Sequence, residues 1–312
     1  MLNYFFNFIT GLLLFFFGIN ILSNTFNKNN TDYIKNIINK NTSTFKGLLT
    51  GIMTTIITQS SSFITVIIQT LVDHNILSLY ESTSIIMGSN IGTCSSTFFL
   101  IILLSLNVNI FNSNLLVGIL SIISFILLLR KHKLFSFFIG ITIILLSMNM
   151  MSNSTNFLIN TNNFTTILNY LENPLLGLLI GIILTSLLQS SSLITCMLAS
   201  ISLSIPISYL SVINLILGSN IGTCSTVIIA SINGSKNAKK VSIIHLLFNM
   251  LGSVIFLTTL YLINFIYPLS FLNSLIKPLD IAYIHLIFNV FTTLIFLPTR
   301  SKLIKLADYL IK

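Results

Sequence analysis

Two short polar strings, Gln59-Ser60-Ser61-Ser62 and Gln189-Ser190-Ser191-Ser192, each interrupt an apolar run, at residues 47–72 and 174–203. An unpaired hydroxyl or amide in hydrocarbon costs several kcal/mol, so these groups must face one another, water or a solute. Serines that follow one helix and open the next are natural caps. They leave backbone N–H groups free at the start of the outgoing helix. Such an N-terminus carries partial positive charge and suits a tetrahedral oxyanion. Two facing tips would surround an anion with donors and no basic side chain. A second string, Gly88-Ser-Asn-Ile-Gly-Thr-Cys-Ser95, recurs at residues 218–225. Its glycines predict local unwinding of a spanning helix, with close helix packing as the competing reading. Asn90, Thr93, Asn220 and Thr223 then supply the neutral oxygens that a hard cation such as sodium prefers. Coupling through a buried carboxylate is disfavoured, because Asp73, Glu81 and Asp280 all sit near segment ends.

The elements that position these strings are set by composition. Of 312 residues 54% are hydrophobic and 7% charged, with a mean hydropathy of +0.96. An ordinary soluble domain is roughly a quarter charged, so the apolar surface here must face lipid. About 20 apolar residues cross the hydrocarbon as a helix. Seven segments qualify, at 4–23, 82–105, 113–130, 134–151, 209–232, 241–267 and 280–298. The two interrupted runs have arms too short to span and predict re-entrant hairpins with tips near mid-membrane, where irregular backbone must be buried in protein or line a wet cavity.

An internal repeat ties the strings together. An offset of 130 residues aligns both without a gap, and 22 of the 51 residues at 47–97 are identical to their partners. Shared apolarity matches Leu with Ile; it does not place Gln, Asn and Ser in register. Repeat 1 covers about 1–133 and repeat 2 about 134–267, followed by a final helix at 280–298, all in one transmembrane domain over 1–312. With the N-terminus outside and the hairpins not crossing, 14 of the 15 Lys and Arg fall in cytoplasmic gaps; only Lys277 lies outside. The C-terminus is then cytoplasmic. Three crossings per repeat turn the second one upside down. The expected fold is an all-α integral membrane protein of two inverted-topology repeats, each with a re-entrant helical hairpin and a broken transmembrane helix.

Several classes are excluded. The net charge of +9 comes from Lys and Arg in short gaps between apolar runs, which argues membrane topology and against nucleic acid. Cys94, Cys196 and Cys224 all lie in apolar segments, without metal or disulfide spacing. The first 23 residues lack the basic start and cleavage pattern of a signal peptide and read as a spanning helix. No Ser-His-Asp or Gly-x-Ser-x-Gly arrangement accompanies the serines, so an enzyme is not expected. His245 to Asn249 and His285 to Asn289 echo each other at a spacing of four, read as structural hydrogen bonding with a proton relay as the rival.

The paired Gln-Ser-Ser-Ser and Gly-x-Asn-Ile-Gly-Thr strings resemble those of the type II sodium/phosphate cotransporter family, over about residues 1–300. The resemblance implies a symporter of the plasma membrane driven by sodium as coupling ion, with no cofactor. It implies phosphate at Ser60, Ser61, Ser62, Ser190, Ser191 and Ser192, and sodium at Gln59, Asn90, Thr93, Gln189, Asn220 and Thr223. The family continues with a second Thr where this chain has Cys94 and Cys224, and a thiol is a poor ligand for a hard cation. Bacterial relatives add a cytoplasmic helical regulatory domain that is not in this sequence, so the match is to the membrane domain only. A homo-oligomer or a separate regulatory subunit stays open as partner, besides inorganic phosphate, Na+ and the lipid bilayer. The rival functions are transport of another oxyanion or organic anion, and a phosphate-binding membrane sensor that does not transport.

Overall fold

The computed structural model describes residues 2–27, 38, 43–109, 113–132, 134–155 and 170–312. In chain order the long helices are α1 (Leu2–Asn27), α2 (Thr44–Thr58), α3 (Ser61–Asp73), α4 (Leu79–Asn109), α5 (Ser113–Leu129) and α6 (Phe135–Thr155). They are followed by α7 (Pro174–Leu188), α8 (Ser191–Ser202), α9 (Tyr209–Gly222), α10 (Cys224–Ser231), α11 (Lys236–Ile266) and α12 (Pro278–Leu310). Among the described residues six spans are long and apolar enough to cross a membrane: α1, α4, α6, the α9–α10 stretch, α11 and α12. At the seventh expected span stands α5, apolar but 17 residues long, about 26 Å. Lys28, Lys35, Lys40 and Lys133, which the orientation argument uses, lie outside the described residues.

Each Gln-Ser-Ser-Ser string is a helix–helix corner. Gln59 and Gln189 close α2 and α7 in the left-handed region, at φ 56° and 54°. Ser60 and Ser190 then open α3 and α8 in extended conformation, their hydroxyls accepting from Phe63 N and Leu193 N. The bend between α7 and α8 is 118°. The arms hold 15 and 13 residues in the first copy and 15 and 12 in the second. At 1.5 Å per residue that is about 18–23 Å each, short of the ~30 Å hydrocarbon core. The outer faces of α2 and α7 carry matching apolar stripes, Phe45, Leu49 and Met53 against Leu175, Leu179 and Ile183, all exposed and suited to lipid.

The glycines of the second string do not unwind the helix in the first copy: α4 is helical throughout. In the second copy the interruption is confined to Thr223, which keeps right-handed angles of φ −58° and ψ −26°. The expected broken helix is therefore absent from one copy and reduced to a single residue in the other. The reason is packing. A Cβ at Gly88 would stand 2.0 Å from the Leu48 carbonyl oxygen, and one at Gly218 2.2 Å from that of Leu178. Gly51 and Gly181 return the contact against Ile85 and Leu215. Glycine lets the backbones of α2 and α4, and of α7 and α9, touch directly, as small residues do in membrane helix pairs.

The final helix also runs further than the expected 280–298. It passes Pro298 and ends at Leu310. Proline removes one hydrogen bond and strains the preceding turn, but three anchors hold the extension. Arg300, 2% exposed, donates to Ser84 Oγ at 2.5 Å and to Thr44 Oγ1, and stacks 3.5 Å over the Tyr80 ring. Lys240 pairs with Asp308 at 2.7 Å, and Leu303 and Ala307 are buried. At the other end of the same helix, Tyr209 at the start of α9 donates to Asp280 at 2.6 Å. The largest apolar core packs α8 against α6, α9 and the first half of α12, while a smaller one joins α3, α4 and Val241 of α11.

Candidate functional site

Both corners open into one cavity of about 350 Å³. Gln59, Ser60, Ser61 and Ser62 line it together with Gln189, Ser190, Ser191 and Ser192, and Thr93 and Thr223 share the same wall. Phe16, Ile19 and Asn20 of α1 complete the wall with Phe63, Val66, Leu188 and Thr226. None of these residues is ionisable.

The local geometry fixes which atoms face the cavity as donors. Ser61 and Ser62 occupy the first positions of α3, and Ser191 and Ser192 those of α8; N–H groups there have no intrahelical acceptor. The Ser60 and Ser190 hydroxyl oxygens already accept cap bonds, which leaves their O–H groups to donate outward. Gln59 sends its Nε2 to Ile56 O at 2.6 Å, so its Oε1 remains an acceptor. The Thr93 and Thr223 hydroxyls donate to Ser89 O and Ser219 O at 3.0 and 2.9 Å, leaving oxygen lone pairs free. An anion is thus met by helix N-termini and hydroxyls, and a hard cation by neutral oxygens. Among the described residues no group of three or more His, Cys, Asp or Glu could hold a metal ion.

Of the twelve residues expected at the site, ten share this cavity. Asn90 and Asn220 do not line it. They sit one helical turn behind, each with its Oδ1 opposite a histidine Nε2: His245 at 3.4 Å for Asn90 and His285 at 3.3 Å for Asn220. The thiols in the family's second-Thr place take amide donors instead, Cys94 from Asn289 at 3.5 Å and Cys224 from Asn249 at 3.3 Å. Asn20 was missed by the sequence reading. The available signal was a carboxamide inside an apolar span, shared with Asn7, which in hydrocarbon calls for a polar neighbour or a cavity.

An all-helical bundle with a central, uncharged, donor-rich cavity and several lipid-facing spans defines a multi-pass membrane protein built to handle a polar solute. The family profile described as Na+/Pi-cotransporter matches residues 14–153 and again residues 143–277, and the chain belongs to that family. The double match follows the internal repeat. The chain is also 30% identical over 208 residues to an uncharacterized protein of Bacillus subtilis (strain 168), YqeW, spanning 66% of each of the two chains. No solved structure matches it.

Proposed function

We propose that the protein carries inorganic phosphate together with sodium ions across the plasma membrane by alternating access. The observation that carries this reading is the single cavity with two Gln-Ser-Ser-Ser corners on its wall and no ionisable group. Phosphate sits between the serines at 60–62 and 190–192, where four free N–H groups and the hydroxyls replace its water. Sodium sits beside it on Gln59, Gln189, Thr93 and Thr223, with Asn90 and Asn220 supporting from behind. An anion held without basic residues gains its countercharge from the accompanying cations, which makes binding of the two mutually favourable.

The two repeats are read as inverted, with re-entrant hairpins. Supporting this, the N-terminal end of α12 touches the start of α9 through Asp280 and Tyr209, whereas Arg300, about 30 Å further along α12, touches the starts of α2 and α4. The N-terminus is assigned to the outside and the C-terminus to the cytoplasm by the positive-inside rule. The test is uptake of radiolabelled phosphate into proteoliposomes with and without an inward sodium gradient, with sulfate and arsenate as competitors. Sodium-dependent uptake blocked by arsenate and spared by sulfate is the expected result; uptake indifferent to sodium overturns the coupling. Gln59→Ala and Gln189→Ala should each lower that uptake about tenfold, the loss of one ion-facing amide in a desolvated site.

A further inference from the structure

Two buried histidines lie outside the cavity, and nothing in the proposed translocation uses them. His245 and His285 are each 1% exposed, and Asn249 and Asn289, four residues on, are 0% exposed. Spacing by four puts each His and Asn on one face of its helix. The partners cross. On α11, His245 meets Asn90 of the first copy, while Asn249 donates to Cys224 of the second. On α12, His285 meets Asn220 of the second copy, while Asn289 donates to Cys94 of the first and lies 3.4 Å from Asn220 Oδ1. Each of these two helices thus grips both copies of the Gly-Ser-Asn-Ile-Gly-Thr-Cys string, one with imidazole and one with amide.

We propose that His245 and His285 are positioning residues that set how the two strings present Thr93 and Thr223 to the cavity, and so set the affinity for sodium. This rests on the placement of sodium proposed above. Asn90 and Cys94 share one face of α4, and Thr93 lies on the neighbouring face that borders the cavity. With Nε2 protonated, the imidazole donates to the Asn90 oxygen and fixes both groups. Without His245 the Asn90 amide oxygen is stranded at a cost of about 1–3 kcal/mol, so the helix would rotate to find another partner, whereas without His285 the Asn220 oxygen keeps the bond from Asn289. A rotation of about 20° carries a Cα on a 2.3 Å cylinder through about 0.8 Å. Ion sites tolerate only about 0.5 Å. Losing the brace therefore spoils the cation oxygens before it spoils the anion donors, which belong to the hairpin corners and have their own caps.

The experiment measures phosphate uptake by the full chain in proteoliposomes, titrating sodium at saturating phosphate and phosphate at saturating sodium. His245→Leu and His285→Leu keep an apolar shape and remove the bond. His245→Leu is expected to raise half-saturating sodium about tenfold, and His285→Leu by less because Asn289 still holds Asn220, while the phosphate KM changes less than about twofold. His245→Gln and His285→Gln, which restore an N–H donor, are expected to return half-saturating sodium to within about threefold of the parent. Asn249→Ala and Asn289→Ala loosen the same brace and supply the measurement if a leucine variant does not fold; they are expected to raise it about threefold. Equal shifts in both titrations, parental sodium titrations in the variants, or equal values for Leu and Gln overturn the brace. If the parent itself ignores sodium, the proposed coupling falls and the brace with it; if the parent needs sodium and the variants match it, only the brace falls.

Discussion

The return arm of the first hairpin adds long-range hydrogen bonds to its apolar packing, whereas that of the second is held by apolar packing. Gln69 on α3 donates to Val227 O at 2.9 Å and Ser242 Oγ at 2.6 Å, reaching α10 and α11. Its counterpart on α8 is Ala199, and there residues 191–200 are all buried, in the largest core of the molecule. The corners are nevertheless the same: a left-handed Gln within 2° of its partner and a serine cap on the third residue beyond it. Corner geometry is therefore a property of the four-residue string and its glycine-zipped helix, not of how the outgoing arm is anchored.

The comparison can be broken most sharply at the glycines. Gly88→Ala and Gly218→Ala each force a methyl against a carbonyl oxygen and should each cost about 3 kcal/mol, read by thermal unfolding in detergent. A mild effect in one copy alone would show that the two helix pairs are not equivalent. Next in size, Gln69→Ala should cost about 2 kcal/mol, because it removes the bonds to Val227 O and Ser242 Oγ and leaves the Val227 carbonyl with Ser242 Oγ alone. Ser200→Ala on the second arm, which loses only a bond to its own helix, should cost under about 1 kcal/mol. Equal costs would remove the distinction between a polar and an apolar anchor. Smallest in stability are Thr93→Ala and Thr223→Ala, within about 0.5 kcal/mol, since Ala is the better helix former. Both should still weaken the response of uptake to sodium. A larger effect at Thr223, where the helix is interrupted, would sharpen the difference between the copies.

How far the sequence carries depends on whether a signal is local. The corners were legible because capping is decided within four residues: a serine between two apolar runs has one efficient place to put its hydroxyl. The pairing of the two corners was legible from the repeat. The Gly-Ser-Asn string was ambiguous, because glycine marks both a helix that opens and a helix that another backbone touches. Only the Leu48 and Leu178 carbonyls decide between them. The final span was expected to end at 298; the ties that carry α12 past it, from Arg300 to Ser84 and from Lys240 to Asp308, join residues far apart in the chain. The same holds for the histidines. Their spacing showed a shared face, but a bond from His245 to Asn90 spans 155 residues and has no local signature.

The wall of the central cavity contains no group that gains or loses a proton in the physiological range. A transporter with such a wall has no acid–base clock of its own. If phosphate is the cargo, as proposed, changes in external acidity reach this wall through the ionisation of that phosphate, so the response of uptake to pH should follow the titration of the cargo and stay the same when residues of the wall are exchanged.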